Sequence, residues 1–321
     1  MDCRSNIKVV LLLFLVFLSL PACTDSQKEA REKLEAMQVA YNGDAFVQRA
    51  AAGDLKTVQL FLTAGMEANA RNQRGATPLM AAAGKGQGPV VKLLLENGAD
   101  VDAQTQEKSV MKKRGKILKK KLVQYGGTPL MQAARNGHRD VVLLLLDKGA
   151  DLEARDDKEE RTALLWAVYQ SRNATIKALL DKGASLGAKD KQGRNLLMTA
   201  VMLAKPDTLT LLLDRPELQK PDAEGKPLLR YAAAAGRTDN LKLLLAHGEA
   251  INARDKEGRT ALMWAAGAGK KDAAKLLLEL GADAEARDQD GKRALDLAKS
   301  DDKLMELLFQ AESAKSSPEK K

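Results

Sequence analysis

The sequence predicts an all-α repeat solenoid, and three observations carry that reading. A short pattern of residues recurs along most of the chain at intervals close to 33 residues. Within each interval apolar residues fall twice at helical spacing, in two short runs separated by a turn. Aromatics make up only 3% of the 321 residues, so the core must be built from Ala and Leu on stacked amphipathic helices and not around one deep centre.

Ahead of the repeats lies a targeting segment. Arg4 and Lys8 supply a basic start, Val9 to Leu20 form an apolar run interrupted by Ser19, and Leu20-Pro21-Ala22-Cys23 follows. As a helix this run would reach about 18 Å, short of the roughly 30 Å hydrocarbon core of a bilayer. Its end resembles the lipobox of bacterial lipoproteins. That resemblance implies removal of residues 1–22, lipidation of Cys23, and a place in the bacterial cell envelope on the periplasmic side. Thr24, where inner-membrane retention would use Asp, favours the outer membrane; an ordinary secretory peptide is the alternative. Cys3 leaves with the signal, so Cys23 is the one thiol of the mature chain and no disulfide or cysteine metal site is expected. Residues 23–43 are expected as a linker, either a short helix over Gln27 to Val39 or a spacer reaching about 25 Å as coil.

The repeat itself is marked by Phe46, Leu79, Leu130, Leu164, Leu197, Leu229, Leu262 and Leu295, separated by 33, 51, 34, 33, 32, 33 and 33 residues. One interval therefore carries an 18-residue insertion. The second run in each module places apolar residues at i, i+3 and i+4, as in Val91/Leu94/Leu95 and Leu241/Leu244/Leu245, which gives each helix one apolar stripe. Such a pair cannot bury its stripe alone, so neighbours must stack. Thr77-Pro78 and Thr128-Pro129 place a capping hydroxyl before Pro at the first helical position. Glycines such as Gly98 and Gly149 end the second helix, where a left-handed residue is needed.

These residues, with the Ala-Ala pair of the first helix and the Gly-Ala-Asp exit, resemble the ankyrin-repeat family over residues 44–310, in about eight modules. The resemblance implies helix–turn–helix units joined by β-hairpin loops, stacked into a curved array whose concave face binds proteins. The fifth module departs from the pattern, being one residue short with Pro216 in place of the terminal Gly. The eighth reads as a C-terminal cap, followed by a polar tail over 311–321 expected to be disordered.

No catalytic constellation can be assembled, and the expectation is a protein that is not an enzyme, with no metal and no cofactor. His138 and His247 occupy turn and helix-end positions. Gly267-Ala268-Gly269-Lys270 looks like part of a phosphate-binding loop, but Trp264 stands where the first Gly belongs and Lys271 where Ser or Thr should bind magnesium. The acidic residues after each Gly-Ala recur with the period and so belong to the hairpins.

Two surface features remain. The net charge of +9 is concentrated in the insertion, 106–125, where Lys108, Lys112, Lys113, Arg114, Lys116, Lys119, Lys120 and Lys121 face Glu107 alone. That distribution argues against nucleic acid and for a finger that touches anionic headgroups or an acidic partner, or else a solvated loop. On the first helices Trp264 projects about 200° from Leu262, away from the core-facing Ala265 and Ala266. Trp166 and Tyr231 fill the same slot, and Tyr169 lies one turn beyond Trp166. Such aromatics suit the anchoring of a partner protein, or packing against the adjacent hairpin. The function expected is a non-catalytic protein-interaction scaffold, lipid-anchored in the envelope. The alternatives are a regulator or inhibitor of one periplasmic enzyme, and an anionic-polymer binder acting through the insertion.

Overall fold

In a computed structural model the chain is described at residues 20–105, 112–113, 116–117, 127–215, 218, 227–298 and 302–316. The described residues fall into two compact units, one running up to Leu164 and including Lys177–Ala184, the other formed by Leu165–Ile176 and the residues from Ser185 on. The first unit opens with α1 (Leu20–Ala36), followed by the helix pairs α2 (Gly43–Ala52) with α3 (Leu55–Thr63) and α4 (Pro78–Gly84) with α5 (Gly88–Glu96). Strands β1 (Lys112–Lys113) and β2 (Lys116–Ile117) precede the pair α6 (Pro129–Asn136) with α7 (Arg139–Asp147). The next pair, α8 (Ala163–Tyr169) with α9 (Asn173–Asp181), contributes residues to both units. The second unit continues with α10 (Leu196–Leu203), α11 (Pro206–Leu213), α12 (Leu228–Ala235) and α13 (Thr238–Ala246). It ends with α14 (Ala261–Gly267), α15 (Lys271–Glu279), α16 (Ala294–Leu297) and α17 (Asp302–Ser316).

Several first helices begin at a side-chain cap. The Thr77 and Thr128 hydroxyls accept from the Met80 and Met131 amides at 3.2 and 3.4 Å, satisfying donors that an unfinished helix leaves open. First helices stack on first helices within each unit, α2 on α4 on α6 in one and α10 on α12 on α14 on α16 in the other. Helices flanked on two sides bury most of their residues in α6, α10 and α14, and every residue of α4 is buried.

Second helices bury one face, and it is not quite the expected one. The buried positions are i−1, i and i+3, as in Val90/Val91/Leu94, Val141/Val142/Leu145 and Ala273/Ala274/Leu277. The i+4 leucines Leu95, Leu146, Leu245 and Leu278 are only half-buried.

Between modules the chain returns through turns closed by backbone hydrogen bonds, as from the Asp255 amide to Arg259 O at 3.0 Å and from Asp190 to Arg194 O at 3.0 Å. They make no regular ladder. The one strand pairing among the described residues is the antiparallel β1–β2 pair inside the insertion, with Lys112 opposite Ile117 and Lys113 opposite Lys116.

The two ends stand differently against the sequence reading. Of the two alternatives for residues 23–43 the helix is the one formed, with bounds shifted: α1 runs to Ala36 and packs on α3 through buried Ala30 and Leu34. Arg31 Nε and the Tyr41 hydroxyl both donate to Ala64 O, at 3.2 and 2.9 Å. The cause is that α3, the first second helix of the array, would otherwise show a bare apolar flank to water. At the other end α17 continues through 311–316, so those residues are helical and not a disordered tail. Glu312 is 8% exposed there and pairs with Arg293 at 2.6 Å. Leu295 is half-buried, on a helix α16 of a single turn. Pro216 lies outside the described residues, as do residues 1–19 of the segment expected to be a signal.

Candidate interaction surface

The inter-module turns are organised by a recurring acid. In the second unit the Asp255 Oδ1 accepts from the Glu257 and Arg259 amides at 3.1 and 2.9 Å. Its Oδ2 accepts from Trp264 Nε1 at 2.7 Å and Arg230 Nη1 at 3.1 Å. Asp288, one period on, repeats the amide contacts with Asp290 and Lys292 at 3.0 and 2.9 Å and takes Arg259 Nε at 3.4 Å. Asp190 does the same with the Gln192 and Arg194 amides and the Arg194 side chain. Burial pushes the Asp255 carboxyl up, and the Arg259 amide, the Trp264 indole and the Arg230 guanidinium outweigh it, holding it below the ordinary aspartate value. Asp288 is held low first by the Lys292 amide and then by Arg259, against desolvation.

The aromatic slot leans on this frame. Trp264, expected to stand clear of the core, does so, but its N–H is spent on Asp255 and its ring is half-buried. The Arg230 guanidinium sits 4.5 Å from the Tyr231 ring centroid and 5.3 Å from that of Trp264, and donates to the Tyr231 hydroxyl at 2.8 Å. Arg259 lies 5.7 Å from the Trp264 ring. Tyr231 is half-buried in the same way, and on α8 Trp166 and Tyr169 are half-buried with their rings edge-to-face at 5.7 Å. Each ring of the slot is thus partly covered by protein and partly open to water. Sequence reasoning missed Arg230, Asp255 and Arg259 as members of this cluster. The recurrence of Arg-Asp at 254–255 and 287–288 was a readable signal for the aspartates, whereas the reach of Arg230 into the next module was not.

Module four departs from its neighbours beside Trp166. Its turn and its inter-helix corner put Glu160 and Ser171 in the left-handed region, with φ of 54° and 55°, where other modules use Gly258 and Gly236. A side chain there costs roughly 1–2 kcal/mol. The Ser171 hydroxyl recovers part of that by accepting from the Lys205 amide at 2.9 Å, a helix start whose own side chain caps nothing.

The histidines are structural. His138 Nε2 lies 3.1 Å from Gly84 O, and the same corner position in two other modules sends Gln87 Nε2 to Ala51 O and Arg237 Nη2 to Ala204 O, so these corner residues tie back to the module before. His247 Nδ1 lies 3.0 Å from Leu243 O at a helix end. Lys270, the end of the apparent phosphate loop, starts α15 with its amide bonded to Ala265 O. Among the described residues no group of His, Cys, Asp and Glu is placed to hold a metal, and no helix is long and apolar enough to cross a membrane. Glu249 occupies the slot that elsewhere holds a buried Ala such as Ala150. Burial pushes its carboxyl above the usual glutamate value, against the pull of the Leu228 and Leu229 amides at the start of α12, where Pro227 offers no side-chain cap. Of the basic insertion, Lys112, Lys113 and Lys116 are described by backbone alone, and Lys108, Arg114, Lys119, Lys120 and Lys121 lie outside the described residues.

Comparison with known proteins bears on the same architecture. The family model described as ankyrin repeats in three copies matches overlapping stretches at 24–105, 46–156, 112–190, 154–224, 177–255 and 229–318. A putative ankyrin repeat-containing protein of Treponema pallidum (strain Nichols) is 30% identical over 167 residues, 52% of this chain and 50% of that protein. Mouse Rabankyrin-5 is 36% identical over 111 residues, 34% of this chain and 10% of that protein. The chain thus spans half or less of the length of these two relatives. Among solved structures, the ankyrin repeat domain of Bcl-3, a member of the IkappaB protein family, matches 74% of this chain and 100% of its own at 27% identity, with a TM-score of 0.52. With helix pairs stacked on a 33-residue period and family matches running from residue 24 to 318, the chain belongs to the ankyrin-repeat family.

Proposed function

We propose that this chain is a non-catalytic protein-interaction scaffold, held to the bacterial envelope through a lipid on Cys23 and facing the periplasm, with Trp166, Tyr169, Tyr231 and Trp264 as its contact surface. The observation that carries the binding reading is Trp264: a half-exposed indole whose N–H is fixed by Asp255 is an aromatic anchor that loses little conformational freedom on binding. The anchoring reading rests on the apolar run and Leu20-Pro21-Ala22-Cys23. Because α1 docks on α3, an anchor at Cys23 would hold the repeats near the bilayer without a long tether. A second reading, contact of the basic insertion with anionic headgroups, draws on the β1–β2 register, which sets Lys113 opposite Lys116 and so concentrates positive charge.

Fractionation with affinity purification from native cells tests the anchored scaffold. The wild-type chain is expected in the membrane fraction, beginning at a diacylglyceryl-modified Cys23 and bringing down a defined protein partner after detergent extraction. Cys23→Ala is expected to leave the membrane or remain unprocessed. A soluble wild-type chain with an unmodified thiol contradicts the anchor. A chain that co-purifies with nothing under crosslinking contradicts the scaffold.

A further inference from the structure

The cluster around Trp264 has a definite electrostatic shape. Its two acids are sealed: the Asp255 and Asp288 side chains are 0% and 2% exposed. Both Asp255 oxygens are fully engaged by donors of this chain. Its two cations sit outside them. Arg230 is committed to Asp255 and Tyr231. Arg259, 32% exposed, uses only Nε, toward Asp288, and its two terminal nitrogens have no protein partner among the described residues. Its guanidinium lies beside the Trp264 ring. The in-plane N–H fork of a guanidinium matches the two oxygens of a carboxylate. The Tyr231 hydroxyl, which accepts from Arg230, keeps its own proton to donate.

Resting on the reading of this surface as the contact face, we propose that it receives an acidic, partly apolar linear segment of the partner. One carboxylate takes the Arg259 fork in a bidentate pair, and a neighbouring apolar side chain packs on the open part of the Trp264 ring. A polyanion backbone fits less well. Binding to a phosphate backbone needs several unneutralised cations, whereas here each arginine already faces a buried aspartate and one fork is left.

The test uses the full chain in detergent and blocked synthetic peptides, followed by calorimetric titration. The probes are Leu-Glu-Phe-Asp-Leu-Glu, its amide counterpart Leu-Gln-Phe-Asn-Leu-Gln, and an oligothymidylate of similar length. The acidic peptide is expected to bind at least tenfold tighter than the amide peptide. Arg259→Gln should abolish that preference, and Arg259→Lys, which keeps the charge and loses the fork, should retain only part of it. Lys275→Gln, on the exposed side of α15, should leave it unchanged, and thermal melts of each variant verify folding. Equal binding of both peptides, lost in Trp264→Phe, overturns the carboxylate pairing while leaving the aromatic surface as the binding face. Preference for oligothymidylate, or no binding of the acidic peptide at millimolar concentration, also overturns the proposal.

Discussion

Asp255→Ala is expected to destabilise the second unit by about 3–5 kcal/mol, the range for removing one partner from a buried ion pair. The carboxylate holds four donors from three places: two turn amides, the indole of α14 and the guanidinium of α12. Its loss leaves Arg230 facing an apolar gap with 12% of its side chain exposed, so water relieves the orphaned charge only in part. The melting temperature should drop by roughly 10 °C, and amide exchange should rise across α12 to α14 before it rises in the first unit. The pH dependence carries a sign. The folded pKa of Asp255 lies below its unfolded value, so its stabilisation is complete above the ordinary aspartate pKa of about 3.9 and is lost as pH falls through the folded value. Wild type and Asp255→Ala should therefore differ most above about pH 5 and converge in strong acid. A variant as stable as wild type at neutral pH would remove the aspartate from the account of how Trp264 is held.

Phe61→Ala is expected to cost a comparable 3–5 kcal/mol, now in the first unit. Phe61 is fully buried at the meeting of α1, α2 and α3, with the Phe46 ring centroid 5.0 Å away and Tyr41 stacked over it at 5.9 Å. Truncation empties the site that Tyr41 covers and weakens the shared acceptor at Ala64, where Arg31 and Tyr41 both donate. The consequence to measure is the undocking of α1: limited proteolysis should cut within 24–41 in the variant under conditions that leave wild type intact. Leu55→Ala, whose side chain is 43% exposed on α3, should change stability by less than about 0.5 kcal/mol. Equal effects of the two substitutions would mean that α1 does not cover α3 as described.

The architecture was legible because the period was. Phe46, Leu79, Leu130 and Leu262 are all buried where the spacing placed them, and Thr77 and Thr128 cap the helices their positions announced. A periodic core repeats its own evidence, and a single module would not have sufficed. What the period could not convey is what happens where it stops. The docking of Ala30 and Leu34 on α3, and of Glu312 on Arg293, belongs to one-off segments whose apolar positions were too few to set a face. The second-helix face was misjudged by one residue, because small or polar residues such as Thr57, Thr208 and Asn240 are buried at i−1 and a hydrophobic pattern does not register them. The aromatic slot was half legible. The turn of the helix put Trp264 opposite the core, but its bond to Asp255 spans nine residues of turn and helix and depends on backbone geometry that spacing does not reveal.

The central claim, that this array binds a protein partner through the aromatic face of its first helices, is tested most directly by site-specific photocrosslinking in native cells. Benzoylphenylalanine installed at Tyr231 or Trp166 replaces one aromatic with another at the half-exposed slot, and the same group at Lys275 samples the exposed side of a second helix. A discrete crosslinked species at positions 231 and 166, absent at 275 and identified as one recurring protein, is the predicted result. Crosslinks confined to position 275, with none at 231 or 166, would contradict it.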